Sequence, residues 1–550
     1  MKNRLVAFLL LFAFCPTLFG GSPATSAPDF DPKRLAAHVN FLASDLLEGR
    51  GTGTRGYDIA AAYMAAQFAE AGLKPGGNGD SFLQKVPFRK ADVVPEECSF
   101  VITPQNGSAV TFKYAEDFIL SNDYERPETS VTAPVVFAGF GVTAPDQKYD
   151  DYAALDAKGK IVLILSGAPA QFPHDQRAHY SSGRVKEENA VKHGAIGMLN
   201  FNSPIDEPRR PWDRMVRQSK MSGYNWLKED GHPGNYYPEI QLYANLSHEG
   251  AEKLLSNTAF PLKKVFDMVE KKSLQTFALP FQISVKRVSK LENATSYNVV
   301  GILEGSDPHL KNEYIIYSAH LDHLGIGSPV KGDTIYNGAY DNGSGSAALI
   351  ELARAFRQLP HRPRRSIMFL SVTGEEKGLQ GSEYFAEYPT VPAPSLIADI
   401  NLDMFLMLYP LADAVIYGQE HSSLGQTAAE SVVDAGLKVS SDPFPEEVIF
   451  VRSDQYSFVR KGIPSVMFDS GFHSTDPSIH GEELTRQWLR TNYHSPQDDL
   501  SQKFDWTSGV KIINAAFLTG LRTANQTKPP AWVEGDFFGR LYGRKRAHAH

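Results

Sequence analysis

Several side chains in the second half of the sequence are of the types that bind divalent cations or move protons, and they fall at the ends of apolar runs or in adjoining loops. His320, Asp322 and His323 close "IIYSAHLDHLG"; Asp341 stands in "YDNGSGSAALIELARAF"; Glu375 and Glu376 follow "IMFLSVTG"; Asp403 ends "IADINLD"; His494 lies in "NYHSPQDD". Singly, each has a bland explanation: a satisfied loop histidine, a solvated pair of glutamates, a capping aspartate. Together they offer the neutral nitrogen and anionic oxygen donors that a pair of divalent metal ions requires. Two-metal sites hold their ions roughly 3.5–4 Å apart, a gap that one carboxylate can bridge.

Asp341 is the candidate bridge. The competing reading is a helix cap, because Asp and Asn near a helix start satisfy free N–H groups and suit the positive end of the dipole. In the metal reading the neighbouring glycines let the turn carry the Asp341 side chain inward. Asp322, two residues after His320, is close enough to accept a hydrogen bond from the imidazole nitrogen that faces away from a metal, fixing the tautomer. Adjacent Glu375 and Glu376 do not point the same way with equal ease, which suits one ligand and one general base. Physics alone leaves their order open; we assign Glu376 to the metal and Glu375 to the base.

The elements that must position these groups are legible from about Asn298 onward. Apolar runs such as "YNVVGILEG", "EYIIYSAH", "RSIMFLSVTG", "LIADINLDMF" and "IPSVMFDSG" alternate with helical patterns. The alternation predicts an α/β fold, a mostly parallel mixed sheet with helices on both faces, whose functional residues gather beyond the carboxyl ends of the strands. Two amphipathic stretches between Asp31 and Gly72, separated by the turn "GRGTGTRG", read as helices on its side. Between these parts, "APVVFAGFGV", "GKIVLILSG" and "KEENAVKHGAIGMLNF" read as a smaller α/β insert. The expected division is 28–129 and 286–527 for the main unit, 130–285 for the insert, and 528–550 for a solvated C-terminal tail.

The composition is that of a globular chain, 42% hydrophobic and 21% charged, and its net charge of −8 is well mixed, with no basic footprint for nucleic acid. Lys2 and Arg4, an apolar run to Phe14 and then small residues form the pattern of a signal peptide over 1–27, and so of an exported protein, periplasmic or extracellular. No other stretch is apolar enough for a membrane span. Once the signal is removed Cys98 is the only cysteine left, so no intramolecular disulfide is expected.

The segments "SAHLDHLG", "NGAYDNGSGSAALIELAR", "TGEEKGLQGSEYF", "NLDM" and "YHSPQDD" resemble, in order, the metal-site motifs of the co-catalytic zinc aminopeptidases of metallopeptidase family twenty-eight. The family also contains glutamate carboxypeptidases and glutaminyl cyclases. The resemblance spans about Asn298 to Thr523 with the N-terminal helical stretch, and the insert resembles a protease-associated domain. It implies a zinc-exopeptidase-like fold and two zinc ions, one held by His320, Asp341 and Asp403, the other by Asp341, Glu376 and His494. It further implies that Glu375 acts as general acid/base and that the substrates are peptides with a free N-terminus. Glutaminyl cyclase, glutamate carboxypeptidase and non-catalytic binding protein are the alternatives. Family members often carry a Tyr-Arg-Ser-Asp-His run near the substrate. Here "FVRSDQYSF" puts Val451 and Gln455 at its first and last positions, leaving Arg452, Ser453, Asp454 and Tyr456 as candidate substrate contacts.

Overall fold

The computed structural model describes residue 28 and residues 30–544, so the expected signal peptide lies outside the described residues. The chain begins with α1 (Pro32–Leu42), capped by Asp31, and α2 (Arg55–Glu70), capped by Thr54. Both bury an apolar stripe at helical spacing, Leu35, Val39 and Leu42 in α1 and Tyr57, Ala60, Met64 and Phe68 in α2.

The smaller unit is built on its own sheet, in which Ile161–Leu165 and Gly197–Phe201 pair in parallel and Leu242–Leu246 continues the ladder. It also carries α3 (Trp212–Ser219), which returns below as part of the site. Ser99–Pro104 and Phe118–Leu120 belong to this sheet although they precede the boundary expected at 130. The reason is β1 (Phe277–Leu303), a strand long enough to serve two sheets. Its first half pairs with Ser99–Pro104 and Glu128–Phe137, and its second half with Leu83–Val93 and the main sheet.

The main sheet continues with β2 (Tyr314–His320), α4 (Gly345–Gln358), β3 (Ser366–Val372), β4 (Leu396–Leu402), β5 (Ser465–Ser470) and α5 (Trp506–Asn525). β2 lies between β3 and β4, β5 follows β4, and all of these pairings are parallel; β1 joins β3 antiparallel. Strand alternation sorts side chains between two helical layers. Ile315, Tyr317, Ile367 and Phe369 pack with α1, α2, α4 and α5, whereas Ile316, Met368 and Leu370 pack on the other face with Phe385 and Phe458. The expected α/β architecture is therefore the observed one.

The segment expected as a solvated tail from 528 is ordered as far as the structure describes it. Phe537–Tyr542 forms a short helix, and the fully buried ring of Phe538 packs on His421 and Phe450 at centroid distances of 4.9 and 5.3 Å. Among the described residues no helix is long and apolar enough to cross a membrane.

Candidate active site

Register brings the chemistry together. His320 at the end of β2 pairs with Val372 of β3, so the loops carrying Asp322 and Glu375 leave the sheet side by side, and Asp403 follows β4 on the opposite flank. The chain crosses from one side of β2 to the other between β3 and β4. That reversal opens the crevice where open α/β sheets hold their ligands.

Within the crevice, His320 Nε2 lies 3.0 Å from Asp403 Oδ1 and 3.2 Å from Asp341 Oδ1. His494 Nε2 lies 3.2 Å from both Asp341 Oδ2 and Glu376 Oε2. Asp341 thus turns one oxygen toward each histidine, and the residues expected as two ligand triads form two groups that share it. His320, Asp341 and Asp403 have donor atoms close enough to hold one ion, as do His323, Asp341 and Glu376. His323, left without a role by the sequence, is fully buried with Nδ1 2.6 Å from Glu376 Oε1.

The neighbour of Asp341, not Asp341 itself, does the capping. Asn342 Oδ1 accepts the N–H groups of Gly345, at 2.8 Å, and Met404, at 3.1 Å, while its Nδ2 donates to Leu402 O at 2.9 Å. The turn is held from beneath by Asp498, whose carboxylate accepts the N–H groups of Tyr340 and Asp341, each at 3.0 Å. With capping assigned to Asn342 and backbone support to Asp498, the Asp341 carboxylate is released toward the histidines.

Asp322 departs from its expected contact. His320 Nδ1 is 3.0 Å from the Asp322 backbone carbonyl and 3.9 Å from its carboxylate, so the main chain fixes the imidazole. The carboxylate instead accepts the Glu375 N–H at 3.1 Å and the Thr52 hydroxyl at 2.9 Å. Asp322 therefore positions the loop that carries Glu375. Thr52 comes from the turn "GRGTGTRG", which is the floor of the site rather than a mere helix separator. Arg50 in that turn is buried and donates to the carbonyls of Leu42, Leu321, Asn337 and Gly338.

Crowded carboxylates govern the electrostatics. Burial pushes Glu375 well above the usual carboxylate range, with Asp403, Glu376 and Asp454 adding and His320 opposing. Burial likewise raises Glu376 to about 8, and Asp454, fully buried behind the site, to about 7. For Asp341 burial is outweighed by His320, His494 and His323, which hold it well below its ordinary value; for His320 burial is outweighed by Asp403, Glu375 and Asp341, which raise it. Among the described residues no Lys or Arg forms an ion pair with Asp341, Glu375, Glu376 or Asp403. His323 Nε2 is buried without a hydrogen-bond partner, and buried Glu376 Oε1 has the His323 ring as its close polar neighbour. A concentrated, unneutralised set of nitrogen and oxygen donors of this kind fits divalent cations.

The site opens into a cleft of about 1700 Å³ between the strand ends and the insert. Arg452 and Ser453 line it; Asp454 does not, and Tyr456 turns away, its hydroxyl 3.0 Å from His179 of the insert. Beside the histidines the cleft is lined by Tyr493, whose ring stacks on His494 at 3.8 Å and whose hydroxyl is 3.4 Å from Arg452. The insert is bound firmly to this rim. Arg209 makes a bidentate pair with Glu447 at 2.7 and 2.8 Å, Arg184 pairs with Glu383, and Trp226 N donates to Gln380 at 2.9 Å.

Residues 298–518 match the family model of peptidase family M28, and residues 131–226 match that of the PA domain. The chain carries an M28 peptidase domain and a PA domain. Curated relatives include mouse aminopeptidase NAALADL1, 32% identical over 58% of this chain and 44% of its own length. Another is aminopeptidase YwaD of Bacillus subtilis, 28% identical over 68% of this chain and 63% of its own. The chain thus spans less than two thirds of these relatives. Among solved structures, an aminopeptidase from Aneurinibacillus sp. strain AM-1 superposes with a TM-score of 0.51 at 20% identity, over 91% of this chain and 94% of that one, a likeness of fold.

Proposed function

We propose that this protein is an exported zinc-dependent aminopeptidase that removes N-terminal residues from peptides. The observation that carries the reading is Asp341 set between His320 with Asp403 on one side and His494 with Glu376 on the other. Relatives named aminopeptidases and the M28 match support the reaction class.

In this reading His320, Asp341 and Asp403 hold one zinc ion, and Asp341, Glu376 and His494 hold the other. Bound there, the two ions supply Lewis-acid polarisation of the scissile carbonyl and lower the pKa of water. The chain's own residues do the rest. Glu375 lines the cleft among carboxylates that raise its proton affinity, suiting it to take a proton from the attacking water and deliver it to the leaving amine. Asp322 holds the Glu375 backbone in place, and His323 backs Glu376. Arg452, Ser453 and Tyr493 face the substrate side of the cleft. The order of cations, apolar run and small residues over 1–27 supports export.

The test is mass spectrometry of a defined peptide mixture incubated with zinc-loaded protein: free and acetylated N-termini, one N-terminal Gln, one acidic C-terminus. Stepwise shortening from free N-termini alone is expected. Loss of ammonia from the Gln-peptide alone, trimming of the acidic C-terminus alone, or no change would refute the assignment.

A further inference from the structure

His494 is the least secured member of the proposed metal set. Its side chain is 16% exposed where that of His320 is fully buried, and it sits in a turn rather than at a strand end, with a left-handed backbone at φ +54°. From the main unit its Nε2 faces Asp341 and Glu376, and the ring of His323 packs against it edge-on at 5.8 Å. Two further contacts hold the other sides of the ring: Tyr493 stacks on one face, and Gln218, the penultimate residue of α3 in the insert, places its side-chain amide 3.0 Å from His494 Nδ1.

The same helix reinforces both contacts. Arg214, one turn before Gln218, has its guanidinium 5.9 Å from the centre of the Tyr493 ring. α3 itself is anchored within the insert by Trp212, which donates to Ala115 O at 2.9 Å, and by the buried side chain of Met215.

We propose that Gln218 is a positioning residue of the metal centre, through which the insert completes the site by orienting His494. The inference rests on the two-metal reading above. A metal on Nε2 requires the ring proton on Nδ1, and an acceptor facing Nδ1 then fixes the tautomer and the ring direction. A carboxamide serves either tautomer: its nitrogen donates to a bare Nδ1, and after a half-turn its oxygen accepts from Nδ1–H. The insert is thus an integral wall of the site, and its clamps, Arg209 to Glu447 and Arg184 to Glu383, hold α3 at the distance this contact needs.

The test is Co²⁺ titration of the full chain, followed by visible absorption and by competition with a chelator, for wild type, Gln218→Leu and Gln218→Glu. Gln218→Leu is expected to weaken one of two metal equivalents about 10–100-fold and leave the other unchanged. Gln218→Glu, which keeps an acceptor for Nδ1–H, is expected to restore the second equivalent. Thermal melting of the metal-free variants should match wild type, since Gln218 is partly exposed. Two wild-type-like equivalents in Gln218→Leu, or failure of Gln218→Glu to restore binding, overturns the proposal while the metal reading stands. A wild-type chain that binds no metal overturns the metal reading and this inference with it.

Discussion

Replacing Glu375 by Gln separates chemistry from construction. The substitution keeps the side chain's shape, and the 3.1 Å hydrogen bond that anchors this residue to Asp322 uses the backbone N–H, which is unchanged. Removing a carboxyl group from a crowd that includes Asp403, Glu376 and Asp454 relieves repulsion rather than creating it, so the thermal midpoint of the metal-free protein should hold or rise. The cost falls on the proton transfer. General acid–base catalysis contributes about 10²–10⁴-fold, or about 3–5 kcal/mol of transition-state stabilisation. Turnover of a free-amine dipeptide, measured with zinc content determined on the same sample, should fall by that factor with metal content intact. A variant that keeps its metal and turns over within tenfold of wild type would refute the role given to Glu375.

Other residues give further expectations. His494→Ala should lose one of two zinc equivalents, whereas His323→Gln should retain both; elemental analysis after gel filtration reads the difference. Arg50→Ala strands four backbone carbonyls beneath the site and should destabilise the protein by at least about 3 kcal/mol, seen as a lowered thermal midpoint. Lys186 is buried in the insert and desolvation lowers it to about 7, well below its value in an unfolded chain. Between pH 7 and about 10 the unfolded chain therefore binds the extra proton, and stability rises with pH; below pH 7 the full penalty, on the order of 5 kcal/mol, applies. Lys186→Met should accordingly raise the melting temperature more at pH 6.5 than at pH 9.5, and an equal gain at both would contradict the assignment.

The strands were legible because parallel strands buried on both faces read as unbroken apolar runs, and β2 and β3 are of that kind. Their ends carried the candidate site with them, so the pattern singled out His320, the Glu375–Glu376 pair and Asp403 without ordering the two glutamates. What the sequence could not reveal is which of two adjacent polar residues performs which task. Asp341 and Asn342 are both plausible caps on paper, and only the fold turns Asn342 to Gly345 and Asp341 to the histidines. Likewise Asp322 was expected to hold His320 through its side chain, but its carbonyl is nearer and its carboxylate is committed to Thr52 and Glu375. Apart from the nearby Leu42 carbonyl, Arg50 reaches partners 271–288 residues away along the chain, and Gln218 reaches His494 at a separation of 276; no local signal announces such contacts. The glycine-rich turn around Arg50 was the one available hint, since Gly49 and Gly53 take left-handed backbone there and Gly49 lies where a Cβ would meet Tyr336 O at 2.4 Å. Tyr456 illustrates the opposite error, an aromatic close in sequence to the expected contact yet directed to His179 and the insert.

The most direct test of the account is anomalous diffraction at the zinc edge from crystals of the full chain grown with zinc. Two peaks roughly 3.5–4 Å apart are predicted, one beside His320 and Asp403, the other beside Glu376 and His494, with Asp341 between them. A single peak, or none at Asp341, would contradict the two-metal site on which the proposed reaction depends.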